Sequence, residues 1–537
     1  MDDRATTHLI PITVGVTAHR AIREEDRAAL SASVTEQLRE LKERCPNSPI
    51  RLLTSLAEGG DQLCAEAAQA LSIPLIVALP FPLDEFEKDF TPLGLERLHA
   101  FCRAAELVFV APPTEAIPEG GVSRDYLYRQ AGIYVAAHSH LVLALWDGGP
   151  GTAAACGTSE AVGFSLLGEY DPAEGTALRS GSNTAVIHVF TPRGSRTEEA
   201  AGTVHLLGNR AALLETLERT DEFNRLASAI APSAASRLPE PPEENSPLAR
   251  AEQTGIAAGK LSVQNARLLH RILALLAACS TIVTLAFLLY DEAETIWMIL
   301  VCGIFLLTAR ILVRSGTKSA CHRRYLEYRA LAESLRVHVF LRYAGSLTDA
   351  AQLLTWTQQT EAVWIMAALC SLSVGPQPSE KHEILDCWIN DQKRYHLSAG
   401  TKSRRNLAVS ERIVRICLIL SVFLYISALL FELFCGGLSI SPLLKVSNPE
   451  LWRTWLKILL GLLSASTIFI GNYYGRLSLA RICDDHKKMA AFYERMGLQF
   501  ARSGQEEQLL TLLAREELIE SGNWYSYQRD NTLDFSL

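Results

Sequence analysis

The sequence predicts an α/β doubly wound parallel sheet of the Rossmann-like type over residues 1–200, followed by an α-helical membrane domain with four transmembrane helices in two hairpins. Three observations lead to this prediction. Short apolar strands alternate with helix-like segments up to residue 190. Four later apolar runs approach the roughly 20 residues that a helix needs to cross a bilayer. A proline-rich stretch at 231–247 separates the two parts.

Continuous apolar strands separated by helices are typical of a parallel sheet covered on both faces. The predicted strands are 12–16, 50–53, 74–79, 107–110, 141–146 and, as the last of the sheet, 185–190. The predicted helices between them are 24–44, 61–71, 93–105, 125–137 and 159–167. Ligands of such sheets bind beyond the carboxyl ends of the strands, so the loops there are the places to search.

The rest of the chain divides at changes in composition. We assign 201–248 to a helix, expected at 203–227, and a proline-rich linker. Helical periodicity resumes at 249–270 and predicts a helix continuous with the first span. Two units with two spans each are expected to follow, at 249–397 and 398–537.

The predicted spans also carry a charge pattern. They are residues 272–290, 296–313, 413–434 and 456–474, and the acidic turn at 291–295 contains no Lys or Arg. Basic residues gather at the opposite ends of the spans: Arg314, Lys318, Arg323, Arg324, Lys402, Arg404, Arg405, Arg412, Arg415, Arg476, Arg481, Lys487 and Lys488. By the positive-inside rule both termini are expected in the cytoplasm. The N-terminus has no signal-peptide pattern, which gives the same expectation for the first domain.

Bulk composition narrows the partners. The chain has 537 residues and a net charge of −8, which argues against a partner that is polymeric nucleic acid. Its 12 cysteines are scattered and show no metal-ligand spacing. We therefore expect reduced thiols, no metal site and no cofactor.

Loops at the ends of the predicted strands carry the candidate ligand-binding residues. Gly15, Thr17, His19 and Arg20 follow the first strand and suit the approach of a phosphate or ribose. The other candidates follow the second, third and fifth strands: Ser55, Glu58, Gly59, Gly60, Asp61, Pro80, Asp147, Gly148, Gly149, Gly151, Thr152, Gly157 and Thr158. Each loop also has a plain alternative, namely a simple turn, an N-cap at Asp61 or a flexible insertion after the fifth strand. His19 could act as an acid or base, or only as a hydrogen-bonding spacer.

Together the loops resemble the superfamily that joins the SMF/DprA DNA-processing proteins, the Lonely Guy cytokinin phosphoribohydrolases and the cytosolic region of melastatin-type TRP channels, called SLOG domains. Residues 55–61 look like the Ser-Gly-Ala-x-Gly-x-Asp signature of the first branch, with Glu58 and Gly60 off the pattern. Residues 148–152 and 157–160 each approach the Gly-Gly-x-Gly-Thr-x-x-Glu of the second. The resemblance covers about residues 8–195 and implies a nucleotide site. In the hydrolase branch Glu160 would be catalytic together with Arg129, or less favourably Arg124.

The membrane half shows a second resemblance. The string Tyr-Arg-Ala-Leu-Ala-Glu-Ser-Leu-Arg at 328–336 looks like the two-span module called SLATT, the SMODS and SLOG-associating two-transmembrane effector domain. A similar helix is expected at 486–495, and each of the two is followed by Trp-x-x-x-Gln, at Trp388 and at Trp524. The repeated order indicates a duplicated unit. The family resemblance implies pore formation or membrane disruption in bacterial conflict systems.

These features lead to one expected function and one alternative. The first is a multi-pass protein of the bacterial inner membrane whose SLOG-like domain senses a nucleotide-derived signal and triggers a pore or membrane disruption, in anti-phage or conflict defence. Membrane lipid is the expected surroundings, and so few spans per chain imply a homo-oligomer for a conducting pore. Small residues in the spans could line a water path or only pack helices. The alternative is a membrane-anchored nucleoside-monophosphate phosphoribohydrolase, and a purely structural scaffold is disfavoured by the three glycine loops.

Overall fold

A computed structural model describes residues 8–112, 122–149, 157–167, 185–193, 199–231, 236–376, 378, 380–434, 448–476 and 479–530, with the backbone alone at 469–476 and 479. The chain forms two compact units. The sheet unit comprises Met1–Leu261, Glu327–Ile384 and Gln505–Ser526. The hairpin unit comprises Ser262–Leu326, Leu385–Gly504 and Tyr527–Leu537.

A seven-stranded sheet organises the sheet unit. Its strands are β1 (Ile12–Ala18), β2 (Ile50–Thr54), β3 (Leu75–Leu79), β4 (Leu107–Val110), β5 (Leu141–Trp146), β6 (Ala185–Phe190) and β7 (Val204–Gly208). They lie in the order β4-β3-β2-β1-β5-β6-β7, and β1 to β6 all run parallel to one another. All six predicted strands are confirmed. In β1, Gly15 pairs with Leu53 of β2 on one side and with Val142 of β5 on the other.

Helices connect the strands where the sequence predicts them, and the structure adds the short α3, which the sequence does not predict. They are α1 (Arg27–Arg44), α2 (Gly60–Ala70), α3 (Leu83–Phe86), α4 (Pro92–Ala104), α5 (Arg124–Ala137), α6 (Thr158–Leu167) and α7 (Arg210–Ala227). One large apolar core joins Ile12, Val14 and Val16 of β1 to α1, α2 and α4. A second core packs α5 through Ala131, Tyr134 and Val135 against β2, β3 and β4.

The prediction for residues 203–227 is partly wrong, and β6 is not the last strand. Residues 204–208 form the antiparallel edge strand β7, with Val204 opposite Val189 of β6. Gly208 adopts a φ of +88°, which a side chain would disfavour, and ends the strand. The Asn209 side chain then accepts a hydrogen bond from Ala212 N–H and caps α7. The helical periodicity therefore predicts residues 210–227 correctly as helix, but not residues 204–208, which form a strand.

Segments far along the chain complete the sheet unit. They include α10 (Cys321–Tyr343, whose residues from Glu327 belong here), α11 (Trp356–Glu361), α12 (Val363–Leu372) and α16 (Glu507–Asp530). The hydroxyl groups of Thr13 in β1 and Ser371 in α12 lie 2.6 Å apart in a buried contact. Glu517 of α16, whose side chain is 2% exposed, pairs with Arg336 of α10 at 3.1 Å. A buried charge of this kind is stable only when it is paired, so α10 and α16 depend on each other.

Long helices make up the hairpin unit. They are α8 (Pro247–Glu292, from Ser262 onward), α9 (Met298–Ser319), α13 (Asp391–Phe434), α14 (Pro449–Arg476) and α15 (Leu479–Ser503). The predicted continuity of 249–270 with the first span is confirmed by the unbroken α8. Three helical runs of the described chain are long and apolar enough to cross a membrane. They are Pro247–Glu292, which is α8; Met298–Tyr343, which joins α9 and α10; and Leu385–Phe434, which contains α13. α13 and α15 pack together around two buried rings, with Nδ1 of His396 3.0 Å from Nδ1 of His486.

The fold predicts that Asn224 is a stabilising residue of the sheet unit. Its side chain accepts from Ile10 N–H and donates to Ile10 C=O, both at 2.8 Å, and it is fully buried. Asn224→Ala would leave both backbone groups without these partners. We expect a loss of about 3 kcal/mol of local stability, measured as faster hydrogen exchange of residues 10–18. The control is Arg225→Ala, because Arg225 is exposed on the same helix. Equal exchange in the two variants would contradict the prediction.

Candidate functional site

A cavity of about 440 Å³ opens at the carboxyl ends of the strands in the sheet unit. Its walls come from the loops after β1, β2, β5 and β6 and from α5 and α6. The strands β1 and β5 are neighbours although the chain connects them through three other strands. The loops after β1 and β5 therefore lead away to opposite sides, and a crevice forms between them. Open parallel sheets bind ligands in such a crevice.

The structure brings many of the predicted residues to this cavity. The ones that line it are Thr17, His19, Arg20, Ser55, Asp61, Arg129, Asp147, Gly149, Gly157, Thr158 and Glu160. The structure describes six other predicted residues that do not line it: Gly15, Glu58, Gly59, Gly60, Pro80 and Gly148. Gly151 and Thr152 fall outside the described residues. Arg124 pairs with Asp89 at 2.6 Å instead.

Three of the glycines serve close backbone packing. A Cβ on Gly59, which has a φ of +97°, would lie 1.9 Å from the carbonyl oxygen of Arg20. A Cβ on Gly60 would lie 2.4 Å from the Cβ of Ala18, and one on Gly15 would lie 2.4 Å from Oγ of Ser139. The N–H of Gly60 donates to the carbonyl oxygen of His19 at 3.0 Å. Gly59 and Gly60 hold the loop after β1 against the start of α2, and so shape the cavity without lining it.

Two further candidates have structural partners away from the cavity. The Glu58 carboxylate accepts hydrogen bonds from the N–H of Thr91, at 3.0 Å, and from its hydroxyl. Thr91 is itself the N-cap of α4. Glu58 therefore ties the loop after β2 to the start of α4. Pro80 follows β3 directly and is buried.

His19 and Asp147 lie side by side in the lining, directly after the ends of β1 and β5. Nε2 of His19 accepts a hydrogen bond from Asp147 N–H at 3.2 Å. Burial, followed by the charge of Arg193, lowers the pKa of His19, so this imidazole is neutral. Burial opposes ionisation of Asp147, but the N–H of Gly149 and the His19 ring outweigh it and lower the pKa of Asp147. A neutral ring thus stands beside an ionised carboxylate.

Asp61 is the most buried carboxyl group of the lining, with 4% of its surface exposed. Its Oδ2 atom accepts from the Thr54 hydroxyl at 3.1 Å and from Ala57 N–H at 3.3 Å. Within the described chain, Oδ1 has no hydrogen-bond partner. Burial raises the pKa of Asp61 to about 7 despite these two bonds. The group can therefore accept or donate a hydrogen bond near neutral pH.

Arg129 and Glu160 meet across the cavity wall. Nε of Arg129 on α5 lies 2.6 Å from Oε1 of Glu160 in the first turn of α6. Both side chains are partly exposed, at 25% and 41%. The pair therefore contributes little to stability, about 0–1 kcal/mol, and remains open to a ligand.

Sequence reasoning missed three groups of the lining, namely Arg193, Trp146 and Tyr128. Arg193 follows β6 and is exposed, and no ion pair is formed by it within the described residues. Its position after the last parallel strand was a usable signal, because the carboxyl-end rule applies to that strand as well. The guanidinium of Arg20 lies 4.9 Å from the centre of the Tyr128 ring. No sequence signal marks that contact, since it joins residues over a hundred positions apart.

No family model matches the chain, and no curated protein matches it. Among the described residues there is also no group of three His, Cys, Asp or Glu side chains able to hold a metal ion. The function is therefore argued from the cavity and the helices themselves.

The site predicts a pH effect that depends on Asp61. An unfolded aspartate titrates near 3.9, whereas in the folded protein its pKa is about 7. The unfolded chain therefore releases this proton first, and stability falls as pH rises from about 4 to about 7. Asp61→Asn keeps both acceptor bonds without a charge. We expect it to flatten this part of the profile, measured as unfolding midpoints at pH 5 and pH 8. The exposed Asp84→Asn is the control, and equal profiles in the two variants would refute the assignment.

Proposed function

We propose that the cavity binds a nucleotide and that the chain is a membrane effector controlled by this ligand. One observation carries the proposal, namely the distribution of side chains in the cavity between the ends of β1 and β5. Its exposed rim carries Arg20 and Arg193, and its buried floor carries the hydrogen-bonding groups of His19 and Asp61. The strand order and the helices around the sheet support assigning the sheet unit to the doubly wound, Rossmann-like class.

The rim suits the phosphate of a nucleotide. Arg20 and Arg193 are both exposed there. Gly157, Thr158 and Ser159 line the same cavity at the start of α6, where helix N–H groups lack intrahelical partners and favour anions. Arginine adds a planar fork that matches phosphate oxygens.

The floor suits a sugar better than a phosphate. Neutral His19 carries a proton on one ring nitrogen and a lone pair on the other, so its ring can donate to or accept from a hydroxyl group. Oδ1 of Asp61 offers an acceptor in the same cavity. The ionised carboxylate of Asp147 would repel a phosphate there. We therefore orient the ligand with its ribose hydroxyl groups inward and its phosphate at the rim, with Trp146 and Tyr128 as apolar surfaces for the base.

The membrane part of the proposal rests on the hairpin unit. α14 covers the fourth predicted span, and with it the chain would cross the bilayer four times. The basic residues at one end of the spans favour a cytoplasmic location of both termini, in a bacterial inner membrane. Oligomerisation would be needed for a pore. The ligand can open it only if it binds the open state more tightly than the closed one.

A second candidate function is favoured by the Arg129–Glu160 pair. Its 2.6 Å contact supplies a carboxylate and a phosphate-binding fork at one wall of the cavity. In a nucleoside-monophosphate phosphoribohydrolase, Glu160 would stabilise the developing ribosyl cation or activate water. The spans would then serve as an anchor.

A single experiment separates the two functions, and it uses the full chain in detergent because the sheet unit needs residues 327–384 and 505–526. Nucleoside monophosphates and cyclic oligonucleotides are offered, and calorimetry follows binding while chromatography follows release of free base. We expect binding without turnover. Glu160→Gln should then bind as well or better, because it removes a negative charge from the cavity wall that would repel the phosphate. Base release that Glu160→Gln abolishes would instead establish the hydrolase.

Two comparisons sharpen this test. Arg193→Ala should weaken binding about tenfold or more, since it removes a charge-assisted hydrogen bond, whereas Arg103→Ala, an exposed change on α4, should not. A 2′- or 3′-deoxynucleotide should bind about tenfold more weakly than its ribose form.

The effector role is tested by leakage. Liposomes that contain the chain should leak only when the bound nucleotide is added. Failure of every nucleotide to bind would refute the proposal.

The topology is tested by labelling introduced cysteines in a cysteine-free background. We expect a membrane-impermeant maleimide to label Glu294→Cys, in the loop between α8 and α9, on intact cells. It should label Asp84→Cys in the sheet unit and Glu506→Cys before α16 only after lysis. Because Glu506 follows α14, labelling of Glu506→Cys on intact cells would mean that α14 does not cross the membrane.

A further inference from the structure

Four arginines form an exposed stripe on α13 in the hairpin unit. They are Arg404, Arg405, Arg412 and Arg415, here called the arginine stripe. At 100° per residue they fall within about 100° of the helix circumference. The side of α13 that packs against α15 is a different one, centred about 110° away on the same scale, and carries His396 and Gly400.

Among the residues that the structure describes, the four arginines of the stripe are not neutralised by carboxylates of the unit. Within the described residues none of its four arginines makes an ion pair, and Glu411, one turn before Arg415, does not pair with it. Nearer the start of α13, Lys393 pairs with Glu494 at 3.1 Å. The stripe therefore differs from Lys393, whose charge an internal carboxylate balances.

At the opposite ends of the spans, the described basic residues are paired with carboxylates. Arg453 makes a two-pronged contact with Glu432, at 2.6 and 2.8 Å. Lys457 lies 2.9 Å from Glu292. Since the described basic residues at that end are satisfied internally, the positive charge of the stripe is a distinct feature of one end of the helices.

An apolar surface follows directly after the stripe on the same helix. Large side chains there are about half exposed, among them Ile416 at 50%, Ile419 at 60% and Phe423 at 64%. Such a surface is stable when lipid tails cover it. Arg412 and Arg415 then stand at the level of the head groups, and Arg405 lies seven residues, or about 10 Å, further out.

We propose that the arginine stripe binds the head groups of anionic phospholipids. Arginine forks bind phosphate oxygens in pairs, and the outer arginines lie within about one Debye length of a charged surface. A polybasic segment next to a span is the usual form of such a site. A second copy of the chain fits poorly, because two identical stripes would repel each other.

The test uses the full chain in neutral detergent, titrated with dihexanoyl phosphatidylglycerol or dihexanoyl phosphatidylcholine while the midpoint of thermal unfolding is followed. We expect only the anionic lipid to raise the midpoint, with an effect that 0.5 M salt suppresses. Replacing all four arginines by glutamine, a good helix former, should raise the half-saturating concentration about tenfold or more. Inorganic phosphate at equal concentration should have no such effect.

Two matched variants keep the result interpretable. Replacing the four arginines by lysine keeps the charge and should retain most of the response. Replacing Arg39, Lys42, Arg44 and Lys88, exposed in the sheet unit, by glutamine removes the same charge and should leave the response unchanged. The proposal is overturned if the stripe variant keeps its lipid response, if phosphatidylcholine or phosphate acts equally well, or if light scattering shows that the substitutions change only the oligomer size.

Discussion

The cavity depends on a close backbone crossing between the end of β1 and the start of α2. The N–H of Gly60 donates to the carbonyl of His19, and Gly59 takes a φ of +97° where a side chain would strike Arg20. This crossing fixes three functional groups at once, because His19 and Arg20 precede it and Asp61 follows it. A bulkier residue at either glycine would separate them, so the pattern of glycines reflects geometry more than direct ligand contact.

The ionisable side chains around that crossing differ in burial, since His19 and Asp61 are buried and Arg20 and Arg193 are exposed. The buried groups, His19 and Asp61, are held near neutrality because burial disfavours their charged forms. The two arginines lie at the exposed rim of the cavity, where a charged group is not desolvated. A ligand with one polar neutral end and one anionic end therefore matches the gradient. This electrostatic asymmetry would favour one orientation of the proposed nucleotide, which a uniformly basic pocket would not do.

The hairpin unit separates charge in a comparable manner along its helices. At one end, cations pair with Glu292 and Glu432. At the other, the arginine stripe has no internal partner among the described residues. Unpaired surface arginines are inexpensive in water, but next to an apolar helix surface they gain from anionic head groups. The two proposals thus place one anion-binding element in each unit, and only the one in the sheet unit would enclose its ligand.

The sequence by itself determined the strands, the helices between them and the continuity of α8, because these follow from local apolar periodicity. It also located Arg129, Glu160 and most of the loops at the cavity. The tertiary structure alone decided that β7 is an edge strand and that Arg193 and Tyr128 join the lining. It likewise joined residues 327–384 and 505–526 to the sheet unit, through contacts such as Thr13–Ser371. Such contacts link residues hundreds of positions apart, and no local pattern encodes them.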